Sequence, residues 1–182
     1  ISGAKYITCD AGLPEEVLEG ILDVYGTQTP VFIDPVSCTY AEKLKLIVGK
    51  VDTLKPNRIE TEVISGVEIH SETDLERAAD VLLEKGLKHI YISLGSEGCF
   101  YMNRDGVKIK RALKPLKQME NATGGGDAFM AAVLYSRLVD FEINKTLDFA
   151  LAAGVGAVSY KSTINPNMSV NLIEKILEER RL

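Results

Sequence analysis

The sequence predicts an α/β fold, a three-layer α/β/α sandwich built on a mostly parallel sheet. In the first half of the chain, short apolar runs with strand character alternate with segments whose apolar residues recur at helical spacing. Three helical segments follow one another at the end of the chain. Alternating strands and helices favour parallel pairing through crossover connections. We expect the 182 residues to form a single domain spanning 1–182.

The first half of the chain supplies most of the strand and helix pairs. We predict strands at 5–9, 30–33 and 51–54, and helices at 14–25, 40–48, 57–64 and 74–85, the last closed by Gly86. Parallel sheets bind ligands beyond the carboxyl ends of their strands. The positions that directly follow predicted strands, and that we expect at this edge, are Asp10, Asp34, Asn57 and Gly95.

The second half begins with a strand pair and ends with helices. We predict strands at 89–94, 99–102 and 107–109, with a hairpin turn at 103–106, and helices at 128–139, 145–160 and 170–180. The helix at 145–160 is rich in alanine and glycine, which favours close packing in a core.

Composition excludes several classes of protein. A formal net charge of −5 without a basic cluster argues against nucleic-acid binding. No apolar run is long enough to span a membrane, and the first residues do not resemble a signal peptide. The three cysteines are widely spaced, which fits neither a disulfide framework nor a zinc site and favours a cytoplasmic location.

The segment from Asn121 to Phe129 carries the strongest functional signal, reading NATGGGDAF before an apolar run. Glycines Gly124, Gly125 and Gly126 allow backbone amides to converge on an anion at a helix start. Asp127, which we expect to open that helix, is a candidate general base for an attacking hydroxyl. A close packing turn with an ordinary N-cap aspartate is the structural alternative.

Asn57 and Glu60 stand three residues apart and share one face of the predicted helix. An amide and a carboxylate in that arrangement suit a hydrated Mg²⁺ beside phosphates. The same spacing is that of an N-cap with a capping-box glutamate, and one residue pair can serve both purposes.

Four ordered segments resemble the PfkB, or ribokinase-like, sugar and nucleoside kinases. ATGGGDAF is similar to the family's TGAGD element, and VFIDPVS, LKPNRIETEVISG and SLGSEGCFY resemble three further landmarks. The resemblance implies an ATP- and Mg²⁺-dependent phosphotransferase in which Asp127 is the catalytic base and the glycines stabilise the migrating phosphoryl group. It covers only the family's C-terminal part, so we expect the chain to lack the N-terminal strands and the β lid.

The resemblance also implies binding roles for other residues. It assigns Ser93, Gly95, Ser96 and Gly98 to a nucleotide loop, for which the alternative is a turn that needs glycine. It places Leu151 along the adenine pocket. Asn121 stands where the family often has an aspartate near a monovalent cation, and this loss of charge leaves a K⁺ requirement open. Asp34 either reaches the phosphate and metal region or caps its own loop.

The wording of these motifs is most similar to that of the family's pseudouridine kinases. We therefore expect transfer of the γ-phosphoryl group to the 5′ hydroxyl of a nucleoside or sugar, with pseudouridine as the best candidate. Ribose, fructose or adenosine as acceptor, and a nucleotide-binding module without turnover, are the alternatives. The family's lid often contributes to dimer contacts, which allows a homodimer, and we expect neither nucleic-acid nor membrane partners.

Overall fold

The protein is described by a computed structural model that covers residues 3–114, 116, 120, 123–162 and 164–180. The strands are β1 (Ile7–Asp10), β2 (Val31–Asp34), β3 (Thr53–Leu54), β4 (His89–Ser93), β5 (Cys99–Asn103) and β6 (Lys108–Arg111). The helices are α1 (Glu15–Tyr25), α2 (Cys38–Ile47), α3 (Arg58–Ser65), α4 (Glu72–Lys85), α5 (Gly125–Leu138), α6 (Ile143–Val158) and α7 (Val170–Arg180).

These strands form one mostly parallel sheet, as the sequence predicts. In the described part of the chain the order is β1-β2-β3-β4-β5-β6. Strands β1 to β4 are parallel, with Asp10 opposite Asp34 and Leu54 opposite both Ile33 and Ile90. This register brings the carboxyl ends of β1 and β2 level with each other.

The chain divides into two compact units. Ile1–Leu94 with Phe100–Lys110 forms the first unit, and Gly95–Cys99 with Arg111–Leu182 forms the second. That residues 1–182 fold as a single domain stays a prediction.

The first unit buries its core on one face of the sheet. Because strand side chains alternate between faces, Ile33, Ile90 and Ile92 point the same way, and they pack in one hydrophobic cluster with Leu44 of α2 and Leu82 of α4. On the opposite face Phe32 and Tyr91 are also fully buried. The central strands are thus buried on both faces, as is typical of parallel sheets.

The second unit contains the last three helices. Helix α6 contacts both α5 and α7. Phe149 of α6 is buried, and its ring centroid lies 5.5 Å from that of Tyr135 of α5 and 5.7 Å from that of Phe141. Tyr135 and Phe141 are also in contact, at 6.1 Å. These aromatic contacts fix the end of α5 against α6.

Four predicted helix starts are too late, and at two of them, α2 and α4, a polar capping serine precedes the apolar periodicity. Helix α2 begins at Cys38, where the Ser37 hydroxyl accepts from the Tyr40 amide. Helix α4 begins at Glu72 behind a second serine cap. Helices α5 and α6 begin at Gly125 and Ile143. Strand β3 is shorter than predicted, because the Val51 amide closes a 3-10 turn by donating to Val48 O.

Candidate active site

The carboxyl edge of the sheet in the first unit gathers most of the polar residues that the sequence singles out there. Asp10 and Asp34 end β1 and β2 and face each other in register. Asn57 forms a parallel bridge with Ser93, and the Ser93 amide donates to Pro56 O over 2.9 Å. The predicted placement of Asp10, Asp34 and Asn57 along this edge is confirmed.

Asn57 and Glu60 form the capping box that the sequence allows as one of their two roles. Asn57 Oδ1 accepts from the Glu60 amide at 2.9 Å, and Glu60 Oε2 accepts from the Asn57 amide at 2.8 Å. The two residues therefore define the start of α3. Asn57 is exposed, whereas the Glu60 side chain belongs to a residue only 3% exposed.

Lys55 is a residue of this edge that the sequence did not single out. It directly follows β3, is 5% exposed, and places its Nζ 3.0 Å from Asp34 Oδ2. A buried ammonium needs such a partner, because removing a charge from water is costly. The signal in the sequence is a lysine between a buried strand and the ProAsn that starts a helix. Asp34 Oδ1 meanwhile accepts from the Val36 amide at 3.1 Å, so the loop-capping role is present.

Burial raises the pKa of Glu60 above its ordinary value of 4.5. The hydrogen bond from the Asn57 amide and the charge of Lys55 act in the opposite direction, and the charge of Asp34 adds to the rise. Asp34, Lys55 and Glu60 thus form one electrostatic cluster, in which a single cation lies near two carboxylates.

This cluster fits Mg²⁺ held through water and phosphate oxygens better than a cage of protein ligands. Among the described residues, no group of three His, Cys, Asp or Glu side chains is arranged to hold a metal ion. Mg²⁺ usually keeps several waters and takes one or two carboxylates together with substrate phosphates. Glu60 and Asn57 each have an oxygen already engaged by a backbone amide and keep further lone pairs for water.

The glycine turn of the second unit has the backbone that an anion site requires. Gly124 is the N-cap of α5 and has φ of 84°, a conformation that favours glycine. The first backbone bond of the helix is donated by Ala128 N to Gly124 O. The amides of Gly125, Gly126 and Asp127 therefore have no partner within the helix, and Gly124 supplies no side chain to cap them.

The sequence predicts that Asp127 opens the helix, but Asp127 occupies the third position of α5. The glycines read as a loop, yet Gly125 and Gly126 already belong to the first turn. Asp127 is exposed and does not point into the interior. Helices α1 and α6 also lack a side-chain cap, so the missing cap alone identifies nothing. The combination with a left-handed glycine and an exposed first-turn acid is what marks α5.

Gly125 also has the packing role that the structural alternative assigned to these glycines. A Cβ on Gly125 would lie 2.9 Å from Val158 Cγ1, and a Cβ on Gly154 would lie 3.3 Å from Gly125 O. Helices α5 and α6 thus approach each other closely through two glycines. The turn combines a packing function with amides that have no partner within the helix.

The SLGSEG segment folds as a short 3-10 turn at Gly95–Glu97, with positive φ at Gly95 and Gly98. Gly95 and Ser96 are exposed, whereas Gly98 is buried, and a Cβ there would lie 2.0 Å from Arg111 O. Gly98 is therefore required by packing. Leu151 is half-buried on α6, and Asn121 lies outside the described residues.

A model of the pfkB family of carbohydrate kinases matches residues 1–170. The chain belongs to this family. It is 32% identical over 179 residues to pseudouridine kinase of Escherichia coli K12, covering 98% of the chain and 56% of that kinase. It is 35% identical over 106 residues to 1-phosphofructokinase of the same strain, covering 58% of the chain and 33% of that relative.

Solved pfkB-family and ribokinase structures share the fold of the chain. A crystal structure from Clostridium perfringens assigned as a sugar kinase has a TM-score of 0.92 and 31% identity, and covers 97% of this chain and 55% of its own. Arabidopsis thaliana ribokinase complexed with ribose and ATP has a TM-score of 0.85 and 24% identity, covering 96% and 56%. The chain therefore spans little more than half the length of these relatives.

Within the described ranges, no helix is both long and apolar enough to cross a membrane.

Proposed function

We propose that the full-length protein carrying this chain is an ATP-dependent kinase that transfers the γ-phosphoryl group of MgATP to a hydroxyl of a nucleoside or sugar. The observation that carries the proposal is the start of α5, where three first-turn amides without helical partners stand beside the exposed Asp127. Such amides, together with the positive end of the helix dipole, stabilise negative charge as it develops on a phosphoryl group in transit.

Asp127 is the proposed general base. Its carboxylate accepts the proton of the acceptor hydroxyl as the oxygen attacks the γ-phosphorus, and the phosphoryl group leaves the β-phosphate oxygen. Its position in the first helical turn of α5 places it next to the amides that have no partner within the helix. Gly124, Gly125 and Gly126 hold the amides in place around the phosphoryl group.

Asn57 and Glu60 are proposed to position Mg²⁺ through water beside the nucleotide phosphates. Mg²⁺, when bound, neutralises charge on the β- and γ-phosphate oxygens. The capping box holds both side chains at a fixed start of α3, which suits residues that must orient water molecules. Lys55 and Asp34 support this edge from within through their ion pair.

The nucleotide is proposed to bind at the SLGSEG segment and at Leu151. The exposed Gly95 and Ser96 offer a backbone and a hydroxyl to phosphate or ribose, Ser93 and Gly98 hold the two ends of this loop, and Leu151 contributes to an adenine pocket. Titration of the full-length protein with ATP by calorimetry, without acceptor, measures this binding separately from turnover.

Pseudouridine is the acceptor that we propose, with pseudouridine 5′-phosphate as product, because the match to pseudouridine kinase extends over nearly the whole chain. The match to 1-phosphofructokinase covers a shorter stretch at similar identity, so a sugar acceptor such as ribose or fructose, or the nucleoside adenosine, is the alternative. We further propose a cytoplasmic enzyme. Sedimentation measurements test for a homodimer, and assays in Na⁺ and K⁺ buffers test for a K⁺ requirement.

The decisive experiment is a phosphotransfer assay with the full-length protein, MgATP and a panel of pseudouridine, ribose, fructose, fructose 1-phosphate and adenosine. We expect the highest kcat/KM with pseudouridine. Phosphorylation of a sugar instead would replace the acceptor but keep the kinase. ATP binding without phosphorylation of any acceptor would favour the module without turnover.

A further inference from the structure

Val36 has a backbone conformation that valine rarely adopts. Its φ is 65°, and the Ser37 amide donates to Pro35 O over 2.7 Å, so these three residues form a tight turn centred on Val36. A β-branched side chain at this positive φ is strained, whereas glycine accepts it readily. The turn directly follows β2 at the carboxyl edge of the sheet.

The surroundings hold this turn firmly. Asp34 Oδ1 accepts from the Val36 amide at 3.1 Å, while Asp34 Oδ2 is fixed by Lys55 Nζ at 3.0 Å. On the other side, Ser37 caps α2. The strain is therefore imposed by a network whose other members belong to the candidate active site.

Burial does not explain why the strained residue is valine. The side chain of Val36 belongs to a residue 54% exposed, so it contributes little to the core. An exposed strained valine is a cost to stability without a packing gain, and natural proteins keep such costs mainly at sites of function.

The turns that follow β1 and β2 combine exposed apolar carbon with carboxylates. Tyr40, one turn into α2, is 40% exposed, and a Cβ on Gly12 would lie 3.7 Å from its Cε2 atom. Gly12 belongs to the turn after β1, where Asp10 Oδ1 accepts the Gly12 amide at 2.7 Å. Lys43 Nζ lies over the Tyr40 ring, 4.8 Å from its centroid. Exposed apolar carbon and carboxylate oxygens at one edge of the sheet suit a small molecule that has a ring face and several hydroxyl groups.

We propose that Val36 is a specificity-determining residue, whose side chain contacts the ring face of the phosphoryl acceptor at the carboxyl edge of the sheet. The acceptor class is that of nucleosides and sugars, so this inference rests on the proposed function. The strained turn directs the valine methyl groups toward the acceptor, and Tyr40 extends the same apolar surface.

The test is Val36→Gly in the full-length protein, with Val36→Thr as the variant that keeps the branched shape. Glycine relieves the strain and removes the methyl groups. We expect the melting temperature to rise by about 2–4 °C, the KM for the acceptor to rise roughly tenfold, and the KM for ATP to stay within about twofold. Val36→Thr should keep the wild-type melting temperature and an acceptor KM within about threefold of the wild type.

Asp140→Gly provides the matched control for strain relief. Val36 and Asp140 are the non-glycine residues with positive φ in the described part of the chain, and Asp140 lies in the turn after α5, outside the proposed site. Glycine there should raise stability and leave both KM values unchanged.

The outcomes separate the inference from the function on which it rests. A Val36→Gly variant with an unchanged acceptor KM overturns the inference while the kinase stands. A lower melting temperature also overturns it, because valine would then be kept for packing. A wild-type protein that phosphorylates no acceptor removes both the function and the inference.

Discussion

The buried ion pair of Asp34 and Lys55 yields a prediction whose size follows from the geometry. At the observed separation of 3.0 Å and an effective dielectric constant of about 20, the Coulomb attraction is about 5–6 kcal/mol. Lys55→Met removes the cation but leaves the carboxylates of Asp34 and Glu60 at the same buried edge. Leaving one partner of a buried pair uncompensated typically costs about 3–5 kcal/mol. We expect a loss of that size in the free energy of unfolding.

Urea unfolding at pH 7 measures this loss, and two controls sharpen it. Lys50→Met removes an ion pair of similar length, 2.6 Å to Asp23, whose side chains are about half exposed, and should not change the unfolding midpoint measurably. The double variant Asp34→Asn with Lys55→Met should recover much of the loss, because no buried charge of that pair is left without a partner. A loss below about 1 kcal/mol for Lys55→Met would refute the reasoning that the ammonium compensates buried carboxylates.

Three further predictions concern packing, charge and thiol access. Gly125→Ala places a methyl group 2.9 Å from a side chain of α6 and should lower the free energy of unfolding by about 1–3 kcal/mol, measured by heat or urea. The control Gly20→Ala, whose added methyl group meets nothing within 4 Å, should be neutral or stabilising. Equal effects of the two variants would contradict the close approach of α5 and α6. Burial raises the pKa of Glu60 above 4.5, so the free energy of unfolding of the wild type should fall as pH rises through that pKa. Glu60→Gln should remove this fall and lower turnover. A variant whose stability depends on pH as the wild type's does would contradict the contribution of Glu60. Burial raises the pKa of Cys99 to about 12, so iodoacetamide at pH 8 should modify the exposed Cys38 and should not modify Cys99 until the protein unfolds. Peptide mass spectrometry measures both modifications. Rapid modification of Cys99 in the folded protein would contradict its burial.

The sequence predicts the sheet and the helices well because hydrophobic periodicity reports burial directly. The same periodicity predicts helix starts less well, because capping residues are polar and lie outside the apolar pattern. The apolar pattern of α2 gives no sign of Ser37 as the cap, and the three glycines before Asp127 read as a loop although two of them are helical. The helical conformation of Gly125 goes with the close contact of α5 and α6, and this contact is visible only in the tertiary structure.

The site is only partly predictable for a related reason. Asn57 and Glu60 could be chosen because both of their roles depend on local spacing. Lys55 could not, because a single lysine normally lies in solvent, and its burial depends on a carboxylate supplied by the neighbouring strand. The turn at Val36 likewise depends on contacts made by Asp34, since neither of the residues flanking valine is glycine.

The most direct measurement of the central claim is the turnover of Asp127→Asn in the full-length protein, with saturating MgATP and acceptor. Asparagine keeps the size of the side chain and the start of α5 but cannot take a proton at neutral pH. We predict a loss of about 10²–10⁴-fold in kcat with ATP affinity by calorimetry nearly unchanged. Turnover close to that of the wild type would contradict the assignment of Asp127 as the base beside the α5 amides.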